Sequence, residues 1–402
     1  MRTIPFSPPD ITETEIAEVV QTLRTGWITT GPKTKLFEQK IGEFIGTKNV
    51  AVLSSATASL ELTLRLLGVG PGDEVITSAY TYTATAAVIA HIGAKIVFVD
   101  TAPDKFLIDH EKVAEAITSR TKVIIPVDIA GKMCDYDSLF EVVESKKHLF
   151  KPNSDIQKIF NRIIILADSA HGFGSSKNGV ISGLAADFTA FSFHAVKTIT
   201  SGEGGAIVWK DKEGLDSEEL YSQYMLHSLH GQSKDAYQKS VVGVGSWQYD
   251  ILCPGYKCNM TDILASIGLV QLRRYHELRN RRREIIKKYD EAMDRLGVGY
   301  LHHLNGKFVT SCHIYLTRIP NADEARRDLI IERMAKMGVA CNVHFKPLPM
   351  MTAYKNMGFD INDYPNAFDH YQNELTLPLH TKLTDEDVDY VIECFEKALE
   401  GK

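Results

Sequence analysis

Arg162-Ile163-Ile164-Ile165-Leu166-Ala167-Asp168-Ser169-Ala170-His171-Gly172 is an apolar, β-branched run that stops at a carboxylate and passes into small turn-forming residues. Such a run reads as a strand buried on both faces, as in a parallel sheet covered by helices. Ligands of open α/β sheets bind beyond the carboxyl ends of the strands, so Asp168 stands where a ligand would lie. Taken alone, the segment fits equally well an Asp that caps the following turn.

Working outward, similar runs recur at residues 50–53, 74–76, 95–99, 122–126, 188–193 and 206–209, and the quoted stretch supplies 163–166. Between them lie helical patterns. Residues 59–67 carry Leu60, Leu62, Leu64, Leu66 and Leu67, and residues 135–143 begin with Asp135 at the expected N-cap. The alternation predicts an α/β domain over residues 1–259, with an N-terminal arm and a mostly parallel seven-stranded sheet between helices. Residues 144–162 are polar and fill a connection that is usually about 2–6 residues long, so they read as an insertion. Thr261-Asp262 can cap a long helix reaching about Leu296. This bridging helix opens a second unit, 260–402. Beyond it, strand-like pieces at 309–319 and 339–345 mix with helical patterns at 322–337 and 385–399, predicting a smaller α+β domain.

Composition narrows the function. In 402 residues, 45 Lys and Arg stand against 51 Asp and Glu, a net charge of −6 that gives no basic field for nucleic acid or an anionic membrane. The basic run Arg279-Asn280-Arg281-Arg282-Arg283 reads as a solvated helix face. The most apolar region, 84–99, is broken by His91 and Lys95 and falls short of the roughly 18 apolar residues of a membrane span. No apolar segment follows Arg2, so a cytoplasmic location is expected. Cys134, Cys253, Cys258, Cys312, Cys341 and Cys394 form no C-x-x-C pair and read as reduced thiols without a metal.

Three further segments carry chemistry. Lys197 follows the strand-like run ending Ser192-Phe193-His194 and precedes the Gly-rich turn Ser201-Gly202-Glu203-Gly204-Gly205, so its amine can reach a crowded site and form a Schiff base. Ser54-Ser55-Ala56-Thr57-Ala58-Ser59 opens a helix directly after a strand, which suits a phosphate cup or a simple N-cap. Tyr80-Thr81-Tyr82 could lay a ring against a planar group, or belong to the core. Together they offer a phosphate anchor, a stacking ring, a carboxylate and an amine, the set that holds pyridoxal 5′-phosphate. The carboxylate would keep the pyridine nitrogen protonated, and the lysine would move the proton.

These segments occur with Gly26-Trp27-Ile28-Thr29-Thr30-Gly31-Pro32, Pro254-Gly255-Tyr256-Lys257-Cys258-Asn259-Met260-Thr261-Asp262 and Asn342-Val343-His344-Phe345. In this order, over nearly the whole chain, the sequence resembles the DegT/StrS family of sugar aminotransferases, which are fold-type-I pyridoxal phosphate enzymes. The resemblance implies that Lys197 is the Schiff-base lysine, Asp168 the partner of the pyridine nitrogen and Tyr82 the stacking residue. It implies Thr57, Ala58 and Ser192 as phosphate ligands and His171 as a contact beside the cofactor ring or the substrate. It also implies a homodimer with shared sites, in which Asn259, or alternatively Lys257, reaches the neighbouring subunit's phosphate. The implied reaction moves an amino group from L-glutamate to a keto group of a nucleotide-linked deoxy sugar, cycling through pyridoxamine 5′-phosphate, in amino-sugar or surface-polysaccharide synthesis.

Sugar dehydratases of this fold replace the lysine by His, so Lys197 favours transamination over dehydration. A non-catalytic, regulatory member of the fold would have no reason to keep Asp168, Ser192 and Lys197 together. A nicotinamide enzyme would need G-x-G-x-x-G after the first strand, and Gly68-Val69-Gly70-Pro71-Gly72 lacks the offset. His230, Lys234, His344 and the 144–162 insertion are candidate sugar contacts.

Overall fold

The computed structural model describes residues 2–234 and 248–401. Helices α1 (Glu13–Thr25) and α2 (Pro32–Ile45) precede the first strand, β1 (Val50–Leu53). Then follow α3 (Ala56–Leu66), β2 (Glu74–Ser78), α4 (Thr83–His91), β3 (Lys95–Val99), α5 (His110–Ala116) and β4 (Thr121–Ile125). After α6 (Tyr136–Ser145) and α7 (Asp155–Phe160) come β5 (Ile164–Asp168) and a short hairpin, β6 (Ser176–Lys177) and β7 (Val180–Ile181). Strands β8 (Phe188–Ser192) and β9 (Gly205–Trp209) and helix α8 (Ser217–Ser228) complete the α/β region.

All seven expected strands form one sheet, in the order β1-β9-β8-β5-β4-β2-β3. Only β9 runs against the rest, antiparallel to both β1 and β8. Its reversal brings its first residue, Gly205, level with Leu53 and Ser192 at the carboxyl ends of its neighbours. The loops after β1, β2, β5 and β8, together with the entry to β9, therefore meet at one edge of the sheet. Burial drives this arrangement: every residue of β1, β2, β4, β5 and β9 is buried, between helices on the two faces.

Helix α9 (Asp262–Leu296) starts at a Thr261 cap and ends at Gly297 in the left-handed region, φ 65°. Its first half packs Ala265, Leu269, Tyr275 and Leu278 against Phe37 and Ile41 of α2. Its second half adds Ile285, Tyr289 and Met293 to another core, with Tyr315, Leu375, Val391 and Phe395. The Asp262 carboxylate also accepts from the backbone N–H groups of Lys33 (3.0 Å) and Thr34 (2.9 Å), supplying the cap that Gly31 cannot give α2. The C-terminal sheet pairs β10 (Gly299–Tyr300), β12 (Tyr315–Arg318) and β13 (Glu374–Leu377), while β11 (Phe308–Val309) joins the β6–β7 hairpin.

Four local expectations change. The run 309–319 is broken between β11 and β12, where Cys312 takes φ 61°. Residues 339–345 make isolated bridges, Val339 to Ile4 and Asn342 to Thr376, rather than a strand. Asp135 begins α6, but its carboxylate is held by Lys177 (2.9 Å) and Ser138 (3.1 Å) instead of capping the backbone. The 144–162 segment folds into a short 3-10 turn and α7. Ser154 and Gln157 anchor it to the Leu67 carbonyl and Asn153 to Asp73, beside the amino end of β2 and away from the edge where the loops meet.

Candidate active site

A cavity of about 400 Å³ opens at that edge. Its wall includes Ser55, Thr57, Tyr82, Asp168, His171, Ser192 and Lys197, so most of the expected site residues are brought together. The wall also takes Phe6 from the N-terminal arm and His313, Asn342, His344 and Phe345 from the C-terminal region.

Asp168 ends β5 and is 5% exposed. Its Oδ2 accepts from the Thr85 hydroxyl at 2.7 Å and its Oδ1 from the Ala170 N–H at 3.1 Å. Burial raises its pKa, against the pull of these two donors and of Lys197. Beneath it, the buried Asp128 accepts from Ser169 (2.7 Å), Tyr136 (2.9 Å) and the Cys134 N–H (2.8 Å), fixing the turn that carries Ala170 and His171. Burial brings the Lys197 ammonium down to about 8, with Asp168 opposing. The amine is thus available as a nucleophile and proton carrier near neutral pH.

Burial, with the charge of Lys197, keeps His171 and His313 neutral, their pKa values well below the ordinary histidine value. The Ala130 N–H donates to His171 Nδ1 at 3.2 Å, so the proton of the neutral ring sits on Nε2. The His313 ring lies 4.4 Å from it, centroid to centroid. Tyr82 is 61% exposed at the rim, with Phe345 at 6.0 Å. An exposed ring at the mouth of a cavity is suited to covering a planar ligand.

At the other end, Ser55 caps α3 by accepting from the Ala58 N–H at 3.0 Å, and Thr57 lies in the first turn. The positive end of α3 faces Ser192 across β9. Gly205 makes this approach possible: a Cβ there would stand 2.3–2.5 Å from the backbone of Ser55 and Ala56. Hydroxyls and a helix N-terminus at one end, with a carboxylate and an amine at the other, fit a phosphorylated pyridine aldehyde.

Ala58 supports the cup as the donor to Ser55 without lining the cavity, and Asn259 and Lys257 do not line it either. The Asn259 amide donates to Thr30 at 2.7 Å and its oxygen accepts from Lys257. His230, Lys234 and the 144–162 segment are also absent from the wall, whereas His344 is part of it. Asp128, Thr85 and His313 were not foreseen. Asp128 had the same signal as Asp168, a carboxylate closing an apolar run, but Thr85 and His313 had none.

The DegT/DnrJ/EryC1/StrS aminotransferase family matches over residues 9–396. This chain belongs to that family. DegT-family aminotransferases use pyridoxal 5′-phosphate, in agreement with the cavity. The chain is 36% identical to the spore coat polysaccharide biosynthesis protein SpsC of Bacillus subtilis, over 99% of this chain and 97% of that protein. It is 54% identical to the putative sugar aminotransferase Spr1654 from Streptococcus pneumoniae in its PMP form, with a TM-score of 0.95 over 100% of this chain and 98% of that one. Spr1654 structures also include a PLP form. PseC of Helicobacter pylori, an aminotransferase involved in the biosynthesis of pseudoaminic acid, is 29% identical with a TM-score of 0.85 over the whole of both chains. The chain is a sugar aminotransferase of the DegT family with a mostly parallel seven-stranded sheet. No helix among its described residues is long and apolar enough to cross a membrane, and no group of metal-ligating side chains occurs among them.

Proposed function

We propose that this enzyme transfers the amino group of L-glutamate to the keto carbon of a nucleotide-linked deoxy sugar, in the cytoplasm, as a homodimer. The observation that carries the reading is the meeting of Lys197 and Asp168 in one cavity whose opposite end is the Ser55-Thr57-Ser192 cup.

In this reading Asp168 would hold the protonated pyridine nitrogen, with Thr85 and the Ala170 N–H keeping the carboxylate ionised and aimed. Thr57, Ser192 and the α3 N-terminus hold the phosphate, while the Ala58 N–H keeps Ser55 in place. Tyr82 would cover the cofactor ring, and His171 would donate from Nε2 to the cofactor or the substrate. When bound, pyridoxal 5′-phosphate supplies an electron-withdrawing ring and an aldehyde that carries the amino group between donor and acceptor. Lys197 moves the proton at its Nζ, which its lowered pKa permits in both directions. The apolar part of the wall, with Phe6, Leu60, Val127 and Phe345, limits water in the cavity.

Exposed apolar side chains support the dimer. Ile16, Val20 and Leu23 form one stripe of α1, and Tyr249, Ile251, Leu252 and Tyr256 approach Lys257 and Asn259 in sequence. Clusters of this kind mark association surfaces. A second subunit would explain why Asn259, or Lys257, contributes nothing to the cavity of its own chain.

The test is turnover with L-glutamate against a panel of nucleotide-linked keto sugars and their free-sugar counterparts. Formation of an amino sugar from at least one nucleotide-linked acceptor, with loss above 100-fold for the free sugar, is the expected result. Equal turnover of free and linked sugars would overturn the nucleotide-linked assignment.

A further inference from the structure

His344 lines the cavity, and its other contacts form a buried chain of polar groups. The ring Nδ1 is 2.9 Å from Thr376 Oγ1, and the Thr376 hydroxyl is 2.5 Å from Glu374 Oε1. Glu374 Oε2 accepts from the backbone N–H of His344 at 2.8 Å, which closes the loop. The buried Tyr80 hydroxyl donates to the His344 carbonyl at 2.6 Å, and Asn342 and Thr376 exchange backbone hydrogen bonds. Glu374 and Thr376 are fully buried on β13. The segment carrying His344 is therefore fixed at both its backbone and its ring.

A hydroxyl has one proton, so the direction of this chain is decided at its buried end. With Glu374 ionised, Thr376 must donate to the carboxylate, and its oxygen then accepts the Nδ1 proton of His344. The ring's Nε2 is left with a lone pair. With Glu374 protonated, the acid donates to Thr376, and Thr376 turns its proton toward Nδ1. The neutral ring gives up its Nδ1 proton to solvent and takes one at Nε2. One proton is added overall, at Glu374.

We propose that Glu374 sets, through Thr376, whether His344 presents a hydrogen-bond acceptor or a donor to the substrate cavity, making Glu374 and Thr376 positioning residues for this site. Its use in catalysis rests on the aminotransferase reading; the tautomer itself does not. Burial pushes the Glu374 carboxyl up to about 8 and holds His344 at about 4, so the ring stays neutral while the acid titrates. Arg327 acts on Glu374 from the helix Glu324–Lys336, and Tyr80 and Cys341 are coupled to it from β2's end and the 339–345 segment. Lys197, His171 and His313 are the titratable groups coupled to His344 across the cavity.

The chain can be locked by an isosteric change. In Glu374→Gln the backbone N–H of His344 selects the amide oxygen, so the amide NH2 faces Thr376 and drives Thr376 to donate to Nδ1. The experiment is NMR of 15N-histidine-labelled, cofactor-free protein from pH 6 to 9, with His344 assigned by its loss in His344→Gln. The wild type is expected to pass from the Nε2–H to the Nδ1–H tautomer as pH rises, with Glu374→Gln fixed as Nε2–H throughout. Thr376→Val, which cuts the chain without touching the carboxylate, is expected to abolish the pH-dependent change, and Thr376→Ser to restore it. A wild-type tautomer that never changes, or a change that survives in Thr376→Val, overturns the proposal even if amino transfer is intact. Failure of amino transfer with the tautomer change present would instead count against the functional reading alone.

Discussion

Thr85→Val removes one hydroxyl and almost no volume at a position of zero exposure, yet it should damage cofactor binding. The Thr85 hydroxyl donates to Asp168 Oδ2 at 2.7 Å and is 2.9 Å from the Thr81 hydroxyl, which donates to it in turn. A hydrogen bond to a charged group contributes about 1.5–3 kcal/mol. Its loss raises the Asp168 pKa further, beyond the upward push that burial already exerts. A cation held over that carboxylate would lose about the same free energy, so pyridoxal 5′-phosphate affinity should fall roughly 10- to 150-fold. Thr81→Val, which only removes support from the supporting group, should cost a few-fold, and Thr85→Ser should bind as the wild type does. The assay is absorbance titration of the cofactor-free protein at constant pH. Thr85→Val binding within two-fold of wild type would refute the claim that an ionised Asp168 holds a cationic ring nitrogen.

Gly205→Ala should be poorly tolerated, since its Cβ would strike the backbone of Ser55 and Ala56. A loss of about 1–3 kcal/mol in urea unfolding is expected, with weaker competition by inorganic phosphate against the cofactor. Stability should also depend on pH above neutrality. Burial raises Glu374 to about 8 and Glu38 to about 7, both above the unfolded carboxylate value, so the stability tied to them is full in acid and lost as pH rises through those values. From pH 6.5 to 8 the loss is about 2–3 kcal/mol, measured as the shift in urea midpoint, and Glu374→Gln should remove most of it.

How much of this was legible in the sequence depended on whether the signal was local. The apolar run into Asp168 announces a buried strand and its ligand-side end because burial and topology act within ten residues. The N-terminal anchor of α3 was readable at Ser54-Ser55 for the same reason, since capping is a contact over three residues. Thr85 was not readable: it is one threonine among several in a helix, and only the approach of β5 makes it a partner of Asp168. His313 is similar, reaching the cavity because the chain kinks at Cys312, which a continuous β-like pattern conceals. The edge strand β13 was missed because Glu374 and Thr376 sit in it as buried polar residues, and their reason for burial lies in His344, thirty residues earlier. The 144–162 segment was recognised as an addition, but where it docks is decided by Leu67 and Asp73, to which its own sequence gives no pointer.

In the proposed function, Lys197 is the residue through which this chain engages pyridoxal 5′-phosphate and passes on an amino group. The direct measurement is a visible spectrum of wild type and Lys197→Ala with added cofactor, before and after L-glutamate. Borohydride reduction and mass mapping of the modified peptide complete it. The expected result is a yellow band in the wild type alone, its loss on adding L-glutamate, and a cofactor adduct confined to the peptide containing Lys197. An equal band in Lys197→Ala, or an adduct on another lysine, would contradict it.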